Sequence, residues 1–435
     1  MTHAPVPGLS ETAAALCVVF IFLVPLAAAG ISLINAGLGR SRSAAHAMLS
    51  SLCVFAVAVL AYFFCGFSWQ GFAAGPAHVV TVAGKPWNWI AAEPFFFRGL
   101  PPEGSPASLA ALLQMFSVGL AALIPLGAGT DRWRLGAACA SSALLAGWTY
   151  PIFAHWVWGG GWLSQLGVNC GLGRGFLDAG GASSIQALGG LTAWSIACIL
   201  GPRRGKYAMD GAPAAIPGHN AVLVLFGCFL ALAGWFGLNC AGSILFAGAA
   251  PGAVAGVAIN TTLSAAMAAL AAAAITRARF GRPDASLCAN GWVGGLVASS
   301  AVCAFLSPAA SALAGLVAGA LVTFSVEWLD MHLGVDDPGG SISVHAVGGI
   351  WGVLAVGLLA RATPGDSGQL VAQLVGVATL LGFVLPLTYS LNWLLNRCYR
   401  QRVAAEGERQ GMDLYELGAG AYPEFVIHRE DLTQG

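Results

Sequence analysis

The chain contains little charge. Only 9% of its 435 residues are Asp, Glu, Lys or Arg, whereas a soluble domain carries about 25%. The charges also balance, with 19 basic and 19 acidic residues. This composition excludes an ordinary soluble domain, and it gives no electrostatic reason to expect nucleic acid as a partner.

Several chemical motifs are absent as well. The eleven cysteines form no C-x-x-C pair, and the sequence has no zinc-ligand spacing, glycine-rich nucleotide loop or catalytic triad. Cysteines inside apolar runs behave as small buried hydrophobes. We therefore predict that the protein is not an enzyme and that it holds neither a metal nor a cofactor.

Long apolar runs are what the sequence has in abundance. Hydrophobic residues make up 57% of the chain, and 59 glycines favour close helix packing. Runs of about 20 apolar residues have the length of a membrane-spanning helix. We predict an all-α integral membrane protein with eleven transmembrane helices. Their approximate cores are 11–34, 45–67, 107–128, 135–154, 180–201, 219–240, 252–275, 286–305, 308–328, 342–361 and 370–395.

One thirteen-residue pattern occurs twice, at residues 178–190 and 337–349. In a gapless alignment the Asp, four Gly, one Ser and one Ala coincide, and Gln186 corresponds to His345. Each of these residues lies eight positions past its Asp, about 12 Å along a helix. Two polar side chains at matching depths in apolar helices indicate a functional site.

The basic residues predict an orientation. With the N-terminus outside, 15 of the 19 Lys and Arg lie in inner loops and the tail, which favours N-out and C-in. Spans five and ten then run in opposite directions, so we predict an inverted 5+5 repeat plus one extra helix. The clusters at Arg132 and Arg203 are interpreted as topology determinants. The basic residues left outside are Lys85, Arg98, Arg174 and Arg361.

These boundaries divide the chain into two parts. A transmembrane channel domain covers residues 1–395, with repeat halves at about 11–201 and 219–361 and span eleven at 370–395. A cytoplasmic tail follows at 396–435. The longest outer loop, residues 68–106, is rich in Pro, Gly and aromatic residues and is predicted to form a cap at the membrane interface.

Three further segments carry a family resemblance. They are FAHWVWGGGWL at residues 153–163, GWFGLN at 234–239 and GMDLYELGAGAYPEF at 411–425. With the Asp337-Pro338 start of span ten, they resemble the ammonium transporter (Amt/Mep/Rh) family, on its Amt side. The resemblance implies a homotrimer in the lipid bilayer of the inner or plasma membrane, with one pore per subunit. It also implies inward passage of ammonium and a possible PII-type regulatory protein at the cytoplasmic face.

The resemblance assigns roles to individual residues. Trp158 matches the tryptophan of the outer ammonium recruitment site, and Asp178 matches the aspartate behind it. His345 matches the second histidine of the twin-histidine pore, while Gln186 stands where the first histidine normally is. The two positions of the outer gate are occupied by Ser117, with Phe116 adjacent, and by Leu238. The serine of the recruitment site corresponds to Gly242 or Ser243. The candidate regulatory residues of the tail are Gly411, Asp413, Tyr422 and Pro423.

Residue chemistry leaves alternatives at these positions. Asp178 precedes span five and is also suited to cap that helix, a role compatible with recruitment. His345 can exchange a proton near neutral pH, whereas Gln186 only donates and accepts hydrogen bonds. Gln186 is predicted to orient the His345 ring and to hydrogen-bond passing ammonia. The alternative is that the two side chains merely bond each other between helices.

Three functions are therefore considered. The first is a transporter that recruits ammonium at Trp158 and Asp178, removes a proton and conducts ammonia past Gln186 and His345. The second is a sensor that binds ammonium with little transport, an alternative suggested by the amide at Gln186. The third is an electroneutral channel for ammonia or carbon dioxide.

Overall fold

The computed structural model describes residues 8–73, 75–100, 105–360 and 368–422. Within these ranges it contains eleven helices that are long and apolar enough to cross a membrane, which confirms the predicted number and class. The spans, numbered one to eleven in chain order, are Glu11–Leu38, Ser41–Gln70, Pro106–Gly129, Leu135–Trp158, Ala182–Leu200, Ala221–Leu245, Pro251–Phe280, Ala285–Val302, Pro308–His332, Ile342–Leu359 and Gln369–Cys398.

Small residues let the helices approach closely. Spans one and six meet along a glycine-lined seam, where a Cβ added to Gly30 would lie 2.6 Å from the Ala231 nitrogen. A Cβ on Gly227 would lie 2.7 Å from the Gly30 carbonyl oxygen. Backbones this close exclude any larger side chain, so the glycine content is used for packing.

Spans five and ten open in the same unusual way. Each starts with a six-residue π-helical turn, Ala182–Ala187 in span five and Ile342–Val347 in span ten. Such turns are rare and are frequent at functional sites. A Cβ on Gly349 would lie 2.5 Å from the Ala182 carbonyl oxygen, so this glycine of the repeat lets the start of span five pack closely on span ten just past its π-helical turn.

The loop between spans two and three contains a hairpin that the sequence analysis did not predict. Strands β1 (Ala77–Val82) and β2 (Lys85–Ala91) pair antiparallel. Ala83 and Gly84 both have positive φ values, 51° and 74°, as a tight two-residue hairpin turn requires. The hairpin packs on the end of span four, where the Trp156 Nε1 donates to the Trp89 carbonyl at 2.7 Å.

A buried ion network lies at the opposite end of the helices. Arg203 donates from Nε to Asp336 Oδ2 at 2.9 Å and contacts Asp131 Oδ2 at 3.3 Å. Arg132 is fully buried, and it donates to the carbonyls of Gly201 at 2.7 Å and Asp336 at 2.8 Å. Burial alone would raise the pKa of Asp336, but Arg203 and Arg132 outweigh it and hold that pKa below its usual range.

The inverted relation of the halves, the N-out orientation and the division at residue 395 stay predictions. Arg361, one of the basic residues used for the orientation, lies outside the described residues.

Candidate functional site

A cavity of about 370 Å³ lies at one end of the bundle, beside the last residues of spans two, four and six and the first residues of span three. We call it the Trp158 cavity. Trp158 forms part of its wall and stacks on Phe246, with ring centroids 4.6 Å apart and planes 15° from parallel. Tyr62, Gln70 and Gln114 also line it. Its wall is therefore mainly aromatic and apolar, with a few polar groups.

Three polar atoms of this wall are buried without hydrogen-bond partners in the described part of the chain. They are the Tyr62 hydroxyl, Gln70 Oε1 and Gln114 Nε2. The Gln114 side chain is held in place because the Tyr150 hydroxyl donates to its Oε1. Unpartnered buried polar groups cost about 1–3 kcal/mol each, so a small polar ligand or water is expected beside them.

Asp178 connects the Trp158 cavity to span five. The Trp158 Nε1 donates to the Asp178 carbonyl at 2.7 Å. The Asp178 carboxylate accepts from the backbone nitrogens of Gly181, Ala182 and Ser183, each at 2.8 Å, and from the Ser183 hydroxyl at 2.5 Å. These are the contacts of a helix cap, and they leave both carboxylate oxygens occupied.

Gln186 and His345 meet inside the helix bundle. The His345 Nδ1 lies 2.7 Å from Gln186 Oε1, and the two residues are 3% and 0% exposed, respectively. Because an amide oxygen only accepts, Nδ1 carries the proton and the lone pair of the ring is on Nε2. The Gln186 Nε2 has no partner among the described residues. The pair thus offers one acceptor and one donor beyond its mutual bond.

His345 also borders a small cavity of about 10 Å³, which it shares with Asn35, Asn290 and Ser341. A cavity of this size is about large enough for one water molecule. The Asn35 Nδ2 is buried there without a partner in the described ranges. Polar groups therefore continue past His345 on the side of span one.

The remaining residues named by the resemblance do not line the described Trp158 cavity. Phe116 stacks on Phe55 with centroids 6.4 Å apart, and the Ser117 hydroxyl donates to the Leu113 carbonyl at 2.8 Å. Leu238 and Ser243 are buried, and the Ser243 hydroxyl contacts Cys303 Sγ at 3.6 Å. A Cβ on Gly242, the alternative to Ser243, would lie 2.4 Å from the Ala179 carbonyl oxygen. Their assigned gate and recruitment roles stay predictions.

Phe246, Gln70, Gln114 and Asn35 were missed by the sequence analysis. The recruitment serine could be aligned with either Gly242 or Ser243, which was a signal that this region differs locally, and Phe246 follows it in the same helix. For the three amides, the available signal was a polar side chain within or at the end of an apolar run.

The tail packs on the ends of the spans. The Asp413 carboxylate accepts from the backbone nitrogens of His46 at 2.7 Å and Ala45 at 3.2 Å, at the start of span two. Gly411 has φ 101° and packs on Arg42, and the Tyr422 hydroxyl lies 3.1 Å from His219 Nε2. Pro423 lies outside the described residues.

The sequence analysis did not name two further tail carboxylates, one of which contacts a span while the other pairs within the tail. Glu416 accepts from the Leu135 nitrogen at the start of span four at 2.9 Å. Glu408 contacts Arg402 Nη2 at 2.8 Å. Across the described ranges, no group of three or more His, Cys, Asp or Glu is arranged to hold a metal ion.

Eleven membrane spans that bury a Gln–His pair beside an aromatic-walled cavity define a polytopic membrane protein of the transporter class. The model of the Ammonium Transporter Family matches residues 15–422, so the chain belongs to that family, a family of transporters and not of enzymes. This confirms the family resemblance and the prediction that the protein is not an enzyme.

Individual relatives agree with this assignment. The chain is 36% identical to the ammonium transporter Amt2 of Archaeoglobus fulgidus over 94% of this chain and 88% of that protein. A solved structure described as "Sensor Amt Protein" matches with a TM-score of 0.83 and 28% identity, covering 93% of this chain and 98% of that one. Mep2 of Saccharomyces cerevisiae matches with a TM-score of 0.77 and 25% identity, covering 92% and 88%.

Proposed function

We propose that this chain transports ammonium across the inner or plasma membrane. It binds the cation in the Trp158 cavity, where a water molecule takes its proton, and passes ammonia by Gln186 and His345. The observation that carries the proposal is the 2.7 Å contact between Gln186 and His345 inside the apolar helix bundle. In a chain of this family, a proton-exchanging side chain with a free acceptor at such depth serves a small substrate that forms hydrogen bonds.

Energetics favour moving ammonia instead of the cation. A bare monocation in a low-dielectric pore faces a desolvation cost of roughly tens of kcal/mol in the Born limit. Removing a proton from an amine whose pKa lies about two units above ambient pH costs roughly 3 kcal/mol. Deprotonation before entry is therefore the less costly route.

The Trp158 cavity supplies what the cation needs first. The stacked Trp158 and Phe246 rings offer π faces, worth about 0.5–2 kcal/mol to a cation. Gln70 Oε1 and the Tyr62 hydroxyl are unpartnered acceptors in the described structure for its N–H groups. Asp178 adds negative charge behind the cavity, although its oxygens already serve as a helix cap.

Within the pore, His345 is the one member of the pair that exchanges protons. Gln186 fixes the ring by accepting from Nδ1, so Nε2 remains the acceptor for ammonia or water. A Gln–His pair provides a single proton station, so this mechanism has weaker charge movement than a pair of histidines.

A sensor is the second candidate. The likeness to the structure described as "Sensor Amt Protein" and the amide at Gln186 favour it. In either case we propose a homotrimer, in which Asp413 and Tyr422 hold the tail against the rest of the chain and a PII-type partner binds at the tail's exposed side.

Ammonium-evoked current and internal pH in proteoliposomes test the proposal. Current supports charge-moving transport, and alkalinisation without current supports an ammonia channel. If neither signal appears although ammonium binds, the sensor is supported.

Trp158→Leu should weaken ammonium binding, so that the half-saturating ammonium concentration rises several-fold. Trp148→Leu, on the same span and outside the cavity wall, is the matched control; equal effects of the two changes would contradict recruitment at Trp158.

A further inference from the structure

A second polar cavity, of about 140 Å³, lies at the opening of span ten. We call it the Asp337 chamber. Its wall has two cations and three carboxylates, so it carries one excess negative charge when all are ionised. These groups, together with a serine that also lines the chamber, are Arg203, Lys206, Asp330, Asp336, Asp337 and Ser343.

Both chamber cations already have carboxylate partners. Arg203 binds Asp336 through Nε at 2.9 Å and Nη2 at 3.0 Å. Lys206 Nζ binds Asp330 Oδ2 at 2.7 Å. Among the described residues, Asp337 is the chamber carboxylate without an ion-pair partner. Asp337 is therefore the lining carboxylate whose charge no direct ion pair balances; Arg132, which contacts Asp336 at 3.8 Å, also lies near Asp337.

Two acceptor atoms of the chamber wall lack partners. Asp337 Oδ2 accepts from the Ile342 nitrogen at 2.7 Å, but Oδ1 is buried and has no partner in the described part of the chain. Ser343 is 0% exposed, and its hydroxyl likewise has no partner there. A buried acceptor left without a hydrogen bond is unfavourable. A ligand that donates to both oxygens removes that cost.

We propose that the Asp337 chamber binds an ammonium cation, whose N–H groups donate to Asp337 Oδ1 and the Ser343 hydroxyl. The choice of ammonium over another small monovalent cation rests on the proposed function. The cation neutralises the excess charge of the wall, and both unpartnered oxygens gain a hydrogen bond. The volume exceeds the roughly 30 Å³ share of one water molecule, so the cation keeps part of its hydration. An anion is excluded by the same unpaired carboxylate.

The chamber is a second substrate site on the far side of the transport path. Ser343 lies two residues before His345 in the same π-helical turn. Ammonia that has passed His345 and regained a proton would be held here before release. In this arrangement Asp337 is a substrate-binding residue and takes no part in the deprotonation step.

Thermal unfolding in nanodiscs, with ammonium chloride compared with choline chloride at equal concentration, measures this binding. The background carries Trp158→Leu, so that the Trp158 cavity does not contribute. Ammonium is expected to raise Tm, because a ligand that binds only the folded state stabilises it. Asp337→Asn and Ser343→Ala should each remove at least half of that rise. Ser184→Ala, the corresponding serine of the first copy, should keep it.

The outcomes separate the two proposals. A Tm rise that survives both Asp337→Asn and Ser343→Ala overturns the chamber, and Ser343→Ala decides alone if Asp337→Asn does not fold. An equal rise with potassium chloride overturns the assignment to ammonium. Absence of ammonium flux in wild-type proteoliposomes, with the Tm rise intact, defeats the proposed transport and leaves the chamber standing.

Discussion

The two copies of the thirteen-residue pattern begin with the same residue in different states. Asp178 accepts hydrogen bonds at both carboxylate oxygens, including one from the Ser183 hydroxyl. Asp337 has one oxygen on the Ile342 nitrogen and the other unpartnered among the described residues. In the alignment Ser183 corresponds to Ile342, so the second copy lacks that hydroxyl. Among the described residues it also lacks the bonds that the Gly181 and Ala182 nitrogens make to the other oxygen in the first copy.

The difference shows that a repeated motif need not repeat a function. With its oxygens filled, Asp178 mainly holds the start of span five and the Trp158 ring. Asp337 lines a polar cavity and has one buried oxygen without a partner among the described residues, so it retains the capacity to bind a ligand. The difference lies mainly in the loop backbone, which supplies two N–H donors to Asp178 Oδ1 and, among the described residues, no donor to Asp337 Oδ1.

The difference between the two copies is tested most directly by removing each carboxylate. Asp178→Ala leaves several buried N–H groups without an acceptor, and we expect a loss of at least about 3 kcal/mol in the free energy of unfolding. Asp337→Ala removes a single side-chain cap, for which about 1 kcal/mol is expected. Equilibrium unfolding in mixed micelles without ammonium measures both. Equal losses would contradict the difference between the copies.

Removing the Ser183 hydroxyl takes away one of the bonds that distinguish the first copy from the second. Ser183→Ala should cost about 1.5–3 kcal/mol, because a hydrogen bond to a charged group is lost. Ser184→Ala is the control, since among the described residues the Ser184 hydroxyl contacts Ser183 Oγ, at 3.4 Å, and not the Asp178 carboxylate. If both alanine variants unfold at the same denaturant concentration, the Ser183 hydroxyl does not stabilise the Asp178 carboxylate.

Much of this architecture was predictable, because it depends on patterns within single segments. Apolar run length gives the eleven spans, and the Asp positions give the helix starts. The equal depths of Gln186 and His345 gave reason to examine them together, and the structure joins them at 2.7 Å. The capping contacts of Asp178 likewise follow from an acceptor placed before a helix.

What was missed depends on which distant segments meet. Phe246 stacks on Trp158 from a different helix, and no local sequence pattern predicts that pairing. Arg132 and Arg203, interpreted as topology determinants, are also buried and hold the carbonyl and carboxylate of Asp336. That Asp337 has no ion-pair partner among the described residues became clear only once the partners of Arg203 and Lys206 were known.

Ammonium binding at Asp337 should depend on pH. Burial, partly offset by backbone N–H groups of Ile342 and Ser341, raises the pKa of Asp337 to about 6. Its carboxylate is therefore charged above that pH and neutral below it, so ammonium binding is present at pH 7 and lost as the pH falls through about 6. The charged and titratable groups around Asp337 are Arg132, Arg203, Lys206, Tyr207, Asp330 and Asp336.

The measurement is the ammonium-dependent Tm rise as a function of pH in the Trp158→Leu background. Below the pKa, apparent affinity should weaken about tenfold per pH unit, equivalent to about 1.4 kcal/mol. Asp337→Asn provides the control, since it has no carboxyl to titrate. A Tm rise that is the same at pH 5 and pH 7.5 would argue that Asp337 does not hold the cation.

The key positions of the two copies, Gln186 and His345, also differ, and Gln186→His makes them alike. A second imidazole at 2.7 Å provides a second proton station, so we expect ammonium-evoked current in proteoliposomes to rise about two- to fivefold. That factor corresponds to less than about 1 kcal/mol, the smallest effect in this series.

Exchanging the two residues tests whether transport depends on which copy carries the imidazole. The double change Gln186→His with His345→Gln preserves one imidazole and one amide but places the proton station in span five. If position matters, current in the exchanged protein falls below wild type, because the ring no longer borders the cavity that His345 shares with Asn35 and Asn290. Wild-type current in the exchanged protein would mean that the two copies are interchangeable at this depth. Unchanged current in Gln186→His would mean that proton relay through this pair does not limit transport.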